Sequence, residues 1–377
     1  TNIGTLNNTK TSNTVLATFN IIGTLANTDS GTIVNTSIIE NKANGTITNA
    51  NIMNNTGDIN ILNSSTFTNS KNYSNLLSGT TYGSLTVAGI TTNNQILSNN
   101  GRVIVSSTGV LNNNLTFTND SLLIVKGQLK NFKVATVTNN DIIKIYNTYK
   151  NYGTTTNNKT FTTFDSSTLE NYNVLNNIST GTLVTRNNFV NKKTNATNSD
   201  SVDLTGIEGV FTNSGIYNHQ KGKITNIGLI TNSTTGTINS SDSFTLNTFG
   251  KLLNHNTITN DSTLTNNGTI INYKTKTIQN NNTIINNNIF QNSGTITNTH
   301  TTGLITNNSS FHNKSDGTLS NSGKIEVLAG TLTNVGTFNN TKTSETINAT
   351  FEITGTFLNN DSGTIVNTGT VENKTSG

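Results

Sequence analysis

The sequence predicts an all-β protein, a parallel β-helix (β-solenoid) with about 20 residues and three short strands in each coil. Three observations favour this fold class. A short module, made of a Thr or another polar residue, one or two aliphatics and an Asn, recurs along most of the 377 residues. Thr and Ile favour a half-buried pleated surface, whereas Asn favours turns. Pro is absent, which fits a continuous sheet, because Pro cannot donate a hydrogen bond to a strand ladder.

Residues 261–298 contain the most regular modules. The apolar residue of each module is followed two positions later by an Asn, and the Asn-to-Asn steps are 6, 8, 6, 6 and 6 residues. Such a module is too short for a helical hairpin but suits one strand and a turn. Three modules make one coil, because the first and fourth Asn are 20 residues apart, as are the second and fifth. The apolar residues are Leu264, Ile270, Ile278, Ile284, Phe290 and Ile296, and the Asn residues are Asn266, Asn272, Asn280, Asn286, Asn292 and Asn298.

Composition excludes several classes of protein. The net charge of +4 comes from 22 basic and 18 acidic residues along the whole chain, which is too dilute for a nucleic-acid interface. No apolar run is long enough for a membrane span. The absence of Cys excludes a disulfide scaffold and a thiolate metal site. Disorder is disfavoured because the apolar residues are regularly spaced, and stacked coils need few of them.

A much longer period relates the two ends of the sequence. Residues 1–45 align without gaps with residues 333–377, and 30 of the 45 positions are identical. We therefore predict a single continuous β-solenoid over residues 1–377, with one 332-residue super-repeat (1–332) and the start of the next (333–377). Covalent tandem continuation or end-to-end self-association would extend it into a fibre. With coils about 4.8 Å apart, each super-repeat adds roughly 80 Å.

Residues 73–209 keep the modules in a less regular form. Four segments there are richer in aliphatics and are predicted to be fuller strands, with longer polar turns between some of the coils. The four segments are 84–87, 102–105, 122–125 and 142–145, and the turns are 153–159 and 191–201.

The Asn residues within the segment 261–298 are predicted to form a structural ladder. Alternate side chains of a strand face opposite sides, so in 295–298 an inward Ile296 places Asn298 inward as well. Equivalent amides of successive coils would then bond to one another along the axis. Sugar or ion binding is the alternative use of these residues. The single Gly residues before many strands are predicted to supply positive φ at the corners.

The outward Thr residues raise a separate possibility. Pairs of the form Thr-x-Thr occur at 263–265, 295–297 and 331–333, and ranks of Thr resemble the ice-binding faces of some β-solenoid antifreeze proteins. Such a face needs the same strand to carry Thr in many consecutive coils. The offsets of 32 and 36 residues between these pairs are not multiples of one coil, which disfavours an ice-binding face.

The sequence contains few groups of residues that could act together in catalysis, and we predict no enzyme, no metal site and no cofactor. The four His residues at 219, 255, 300 and 312 are scattered. The most closely spaced acidic residues could supply a pair of carboxylates on adjacent coils that cleaves a glycan. The favoured interpretation is that they are solvated turn residues. These carboxylates are Asp165, Glu170, Asp200, Asp203 and Glu208.

A cluster of Tyr residues is the best candidate contact patch. Tyr146, Tyr149 and Tyr152 lie beside Lys144 and Lys150, and aromatic rings can stack on sugars and on partner surfaces. The alternative is an aromatic stack that widens the core of the less regular coils.

The Gly-Thr-Ile/Leu-x-Asn module with coils of about 20 residues resembles the filamentous-haemagglutinin and autotransporter-type surface adhesins. The resemblance covers most of the chain and implies a long right-handed parallel β-helix at the cell surface or outside the cell. It implies no catalytic residues. Our leading hypothesis is thus an extracellular or cell-surface structural fibre. The alternative is an adhesin that binds glycans or a host surface through its middle coils.

Overall fold

The structure is a computed structural model. It describes residues 2, 4–9, 17–28, 30–78, 81–178, 181–186, 188–191, 210–213, 216–219, 223–226, 228–299, 302–342 and 349–374. Throughout these residues the regular elements are β-strands. The chain divides into two compact units. The first holds the described residues up to 176 together with 181 and 182, and the second holds 177, 178 and those from 183 onward.

Each unit is built from three parallel sheets, which we number 1, 2 and 3 in the order in which the chain visits them. Almost every strand has four residues. In the first unit, sheet 1 contains Thr5–Asn8, Thr32–Asn35, Ile52–Asn55, Asn72–Asn75, Ile96–Asn99, Thr116–Asn119, Thr136–Asn139, Thr154–Asn157 and Val174–Asn177; sheet 2 contains Thr18–Ile21, Ile38–Asn41, Asp58–Ile61, Ser84–Val87, Arg102–Val105, Leu122–Val125, Ile142–Ile145 and Thr160–Thr163; and sheet 3 contains Thr24–Asn27, Thr46–Asn49, Thr66–Asn69, Ile90–Asn93, Val110–Asn113, Gln128–Asn131, Thr148–Asn151 and Thr168–Asn171. A small antiparallel hairpin, Leu77–Ser78 with Thr81–Tyr82, interrupts one coil.

The second unit repeats this arrangement. Sheet 1 contains Val210–Asn213, Leu229–Asn232, Lys251–Asn254, Thr269–Asn272, Ile289–Asn292, Ser310–Asn313, Thr331–Asn334 and Thr356–Asn359; sheet 2 contains Thr182–Thr185, Ile216–His219, Thr237–Ser240, Thr257–Asn260, Thr277–Asn280, Thr295–Asn298, Thr318–Asn321, Thr337–Asn340 and Thr364–Asn367; and sheet 3 contains Asn188–Asn191, Lys223–Asn226, Ser243–Leu246, Thr263–Asn266, Thr283–Asn286, Leu304–Asn307, Lys324–Val327, Thr350–Ile353 and Thr370–Asn373. The predicted β-solenoid with three short strands per coil is confirmed. Successive strands of a sheet commonly lie 20 residues apart, as for Thr257 and Thr277.

The period of two along each strand determines what is buried. In Thr295–Asn298, Ile296 and Asn298 are fully buried, while Thr295 and Thr297 face outward and are half-buried. The same alternation recurs in most strands, with an apolar side chain at the second position and an Asn at the fourth. Each coil therefore contributes about three large apolar side chains to the core, and the next coil covers them.

Sheet 2 of the first unit departs from this pattern in a way that explains the less regular middle of the sequence. Its strands carry Val87, Val105, Val125 and Ile145 at the fourth position, all fully buried. The four aliphatic-rich segments predicted to be strands are these strands. An aliphatic column thus replaces the Asn column along this edge of the core.

The two copies of the super-repeat form the same local structure, each within its own unit. Thr5 pairs with Thr32, and Thr337 pairs with Thr364, so both copies contain a long coil that advances 27 residues. The side-chain amide bond from Asn8 to Asn35 in the first unit is 2.8 Å long. Its counterpart from Asn340 to Asn367 in the second unit is also 2.8 Å.

Coverage by the next coil accounts for the burial of the core. Ile33 is fully buried beneath the strand that carries Met53. Its counterpart in the second copy, Ile365, lies in the final coil of the structure and is 43% exposed. Identical sequence surroundings therefore give different burial, because a coil shields only its immediate neighbours.

The prediction that Gly residues supply positive φ at the corners is wrong. The corner residues Gly45, Gly89, Gly109 and Gly317 do not have a φ in that range. The residues that do are Asn44, Ser64, Ser166, Thr275 and Asp361. The Gly residues are needed for a different reason. A Cβ at most of these positions would collide with the backbone of the preceding coil; at Gly109 it would meet the carbonyl oxygen of Val87.

Candidate functional site

The six Asn residues singled out in the sequence all take part in buried side-chain ladders. They belong to three different ladders, because consecutive modules lie on different sheets. Asn266 and Asn286 lie on sheet 3, Asn272 and Asn292 on sheet 1, and Asn280 and Asn298 on sheet 2. Each donates from Nδ2 to the Oδ1 of the Asn in the next coil, at 2.7–2.8 Å.

Backbone carbonyls fix the orientation of these amides. Asn272 Nδ2 donates to Asn292 Oδ1 at 2.8 Å, to the carbonyl of Thr295 at 3.2 Å and to that of Lys276 at 3.2 Å. Because carbonyl oxygens can only accept, the nitrogen must point toward the next coil. The side chain is fully buried, so it is inaccessible to a sugar or a surface. The ladder residues are part of the core.

The first unit has the same ladders on sheets 1 and 3. On sheet 1 the chain of amide bonds runs from Asn8 through seven steps to Asn157, and on sheet 3 it runs from Asn2 through eight steps to Asn171. Every donor–acceptor distance is between 2.7 and 2.9 Å. Amides stacked in this way hold the coils in register, since a slip would leave each of them unpaired.

A second set of ladders lies on the outside of the corners, and sequence reasoning missed it. Asn287 donates to Asn267 at 2.8 Å, and Asn308 donates to Asn287 at 2.8 Å. These amides point toward the preceding coil, opposite to the inner ladder. The signal in the sequence is a second Asn directly after the ladder residue, as in Asn286-Asn287.

The predicted contact patch does not form as one surface. Tyr149 is fully buried, and its hydroxyl bonds to Thr155, which in turn donates to Asn151 Oδ1 at 3.0 Å. Burial raises the pKa of the Tyr149 phenol. Tyr149 occupies the inward second position of its strand, so the period of two places it in the core. It is removed from the candidate contact residues.

Tyr146 and Tyr152 lie at two different corners, where each stacks on an aromatic ring of the next coil. The Tyr146 and Phe164 ring centroids are 4.3 Å apart, with an interplanar angle of 7°. Those of Tyr152 and Tyr172 are 4.5 Å apart, at 22°. The ring faces thus cover each other, which favours a structural stack over a sugar-binding platform. Tyr152 is only 4% exposed, whereas Tyr146 is 39% exposed.

The two lysines of the predicted patch face outward. Lys144 is half-buried on sheet 2 of the first unit. Lys150 lies on sheet 3, with its Nζ 3.6 Å from Glu170 Oε2. Tyr172 donates its hydroxyl hydrogen to the same carboxylate oxygen at 2.9 Å. Lys150, Glu170 and Tyr172 therefore form a polar cluster beside the Tyr152–Tyr172 stack, and Glu170 is engaged in structure.

No catalytic or metal centre emerges from the described residues. Asp200, Asp203, Glu208 and His300, from the carboxylate group and the four His, lie outside them. His255 stacks on Tyr273 with centroids 4.0 Å apart, and burial together with the Lys276 charge lowers its pKa. Within the described ranges, no group of three or more His, Asp or Glu side chains is placed to hold a metal ion. No helix there is long and apolar enough to span a membrane.

The three Thr-x-Thr pairs lie on three different sheets of the second unit. Thr263 and Thr265 are on sheet 3, Thr295 and Thr297 on sheet 2, and Thr331 and Thr333 on sheet 1. Their sequence offsets therefore compare strands that never stack on one another. The spacing argument against a regular Thr face does not hold.

Comparison with known proteins adds little. No family model matches the sequence, and no curated protein matches it. One solved structure, described as a TibA fragment hyper-glycosylated in a TibC-catalysed reaction, aligns over 98% of this chain and 99% of its own. The identity is 15% and the TM-score 0.26, values too low to support any argument about function.

Proposed function

We propose that this chain is a non-catalytic structural segment of an extracellular or cell-surface fibre or adhesin. The observation that carries the proposal is the set of continuous amide ladders in the first unit. One ladder begins at Asn8 on sheet 1 and another at Asn2 beside sheet 3, and each links one coil to the next. Such an arrangement uses the side-chain amides of Asn to bind the next coil rather than a ligand. The module's resemblance to autotransporter-type adhesins supports the location outside the cell.

The super-repeat supports a fibre built from copies of one unit. The coil of residues 5–32 and the coil of residues 337–364 share 27-residue steps and matching amide bonds. Our proposal is that the two units continue one solenoid, and that further 332-residue repeats or end-to-end association lengthen it. Each repeat would add roughly 80 Å along the axis.

Electron microscopy tests the fibre. Negatively stained chains of 377 residues are expected to be unbranched rods, and a chain carrying one additional 332-residue repeat is expected to be longer by roughly 80 Å. Globular particles, or a longer chain that folds back into a particle of the same length, would contradict the proposal.

An adhesive contact in the middle coils is the second candidate. The observation that favours it is the exposure of Tyr146, which follows the outward Lys144 by two residues. A Tyr146→Ala, Lys144→Ala variant is expected to lose binding on a glycan array, while the buried Tyr149→Phe serves as a matched control. Equal binding by all three proteins would eliminate this patch.

A further inference from the structure

Sheet 2 of the second unit carries an uninterrupted column of threonines. They occupy the first, outward position of seven consecutive strands and pair directly with one another in register. The seven are Thr237, Thr257, Thr277, Thr295, Thr318, Thr337 and Thr364. With strands about 4.8 Å apart, the column is about 29 Å long.

The Thr residues of this column are not evenly spaced in the sequence. Successive members are separated by 20, 20, 18, 23, 19 and 27 residues. The corners absorb these differences, because the pairing of the strands stays in register whatever the length of the loop between them. Only the structure places, for example, Thr295 directly between Thr277 and Thr318.

Strand propensity does not explain an unbroken column. Thr suits strands on every face, so propensity alone would distribute it equally over the three sheets. The corresponding column on sheet 1 of the same unit includes Lys251 and Ile289, and that on sheet 3 includes Leu304 and Lys324. Seven consecutive Thr residues occur on sheet 2.

The Thr hydroxyls are available to a ligand. Within the described residues, no hydrogen bond to a protein group uses the side chain of any of the seven. All seven are half-buried or exposed. Because Thr is branched at Cβ, its χ1 has few states, so each residue of the column can present its hydroxyl and methyl groups in only a few orientations.

A second column runs beside the first, about 6.7 Å away along the strands. It consists of the third residues of the same strands and is polar in six of the seven, including Thr259, Thr297 and Ser320. The face thus carries one row of Thr and a second row that is polar except at Val366, and neither row contains a charged side chain. These rows do not form a cleft for a single small molecule. They fit a ligand that itself repeats at close to the strand spacing.

We propose that this face binds the surface of an ice crystal. Ice is a lattice of water molecules that donate and accept hydrogen bonds, with repeats on the scale of the strand spacing. A rigid row of hydroxyls can take lattice positions, while the methyl groups between them restrict the adjacent water. The inference goes beyond the proposed structural role and holds whether or not the chain is part of a fibre.

Partition into growing ice tests the proposal. The 377-residue chain is placed in dilute solution, ice is grown slowly, and the protein concentration in the ice is compared with that in the liquid, alongside a protein that does not bind ice. We expect the chain to be enriched in the ice. Exclusion from the ice to the same degree as the non-binding protein would overturn the proposal.

Matched variants locate the site. Thr277→Lys with Thr295→Lys interrupts the column with long charged side chains, which this fold accepts at the same strand position at Lys251 and Lys324. Thr263→Lys with Thr283→Lys makes the same change on sheet 3. We expect at least a tenfold loss of ice enrichment for the first pair and less than a twofold change for the second, with circular dichroism unchanged for both.

Two further outcomes would contradict the assignment. Equal losses from both pairs of substitutions would show a general charge effect and not a site on sheet 2. Sedimentation of the chain with crystalline cellulose, combined with its exclusion from ice, would show that the periodic ligand is a polysaccharide.

Discussion

Asn286 donates its side-chain amide to Asn307 Oδ1 at 2.8 Å, and both side chains are fully buried. Its own Oδ1 accepts the amide of Asn266 at 2.7 Å. It also donates to the backbone carbonyl of Ser310 at 2.9 Å. One short side chain therefore connects three successive coils, which is why an Asn-rich chain with few apolar residues can form an ordered core.

Removal of this amide is expected to destabilise the second unit. Asn286→Ala removes the side-chain donor to Asn307 Oδ1 and leaves the Asn266 amide with its bond to the Ile289 carbonyl only. Buried unsatisfied groups cost roughly 1–3 kcal/mol each. We expect the free energy of unfolding to fall by at least about 2 kcal/mol in urea denaturation.

The neighbouring residue supplies the control. Asn287 belongs to the outer ladder and is exposed, so Asn287→Ala is expected to change the stability by less than about 0.5 kcal/mol. Equal effects of the two substitutions would show that the inner ladder is not specially important.

Tyr73→Phe is expected to leave the first unit as stable or to stabilise it by up to roughly 1–2 kcal/mol. The Tyr73 ring is fully buried, and within the described residues its hydroxyl has no hydrogen-bond partner. The nearby Asn55 amide already donates to Gly57, Asn75 and Ser84. Denaturant unfolding measures the change. Tyr149→Phe is the matched control and should destabilise the first unit, because it removes a hydroxyl that is hydrogen-bonded. A clear loss of stability in Tyr73→Phe would show that the Tyr73 hydroxyl has a hydrogen-bond partner after all.

Alkaline pH is expected to unfold the protein. Burial raises the pKa of Tyr73, Tyr149 and Tyr217 above the ordinary value near 10. A phenol with a raised folded-state pKa contributes stability that is complete below the unfolded value and is lost as the pH rises beyond it. Phenolate absorbance and circular dichroism, followed together above pH 10, should show these three residues ionising as strands are lost. Their ionisation near pH 10 in a folded chain would contradict this.

Gly109→Ala is expected to disrupt the first unit, because the new methyl group would meet the Val87 carbonyl of the preceding coil. Overpacking of this kind costs typically 1–3 kcal/mol, and more where the obstacle is backbone. Thermal unfolding should show a clear loss. A methyl group on Gly23 would have no atom within 4 Å, so Gly23→Ala is the control and should have little effect. Unchanged thermal stability of Gly109→Ala would mean that the coils can separate at their corners.

Local patterns were sufficient to predict the solenoid and its core. The alternation seen in 295–298 correctly predicted that Ile296 and Asn298 face inward, and the 20-residue spacing correctly predicted the coil. Two local inferences were wrong. Tyr149 belongs to the core because it follows the same alternation, and the corner Gly residues avoid a neighbouring backbone rather than adopt positive φ. The second could not be seen in sequence, since the obstacle belongs to a different coil.

The sequence by itself determined which side chains of each four-residue strand are buried, because strand geometry alternates every residue and the apolar and Asn positions are both even. It also determined the coil length and the 332-residue relation between the two ends. Only the tertiary structure decided which strands stack. Corners of different length hide that stacking from any count of residues, so the separate Asn ladders, the Tyr146–Phe164 stack and the column from Thr237 to Thr364 appear only when the coils are in place.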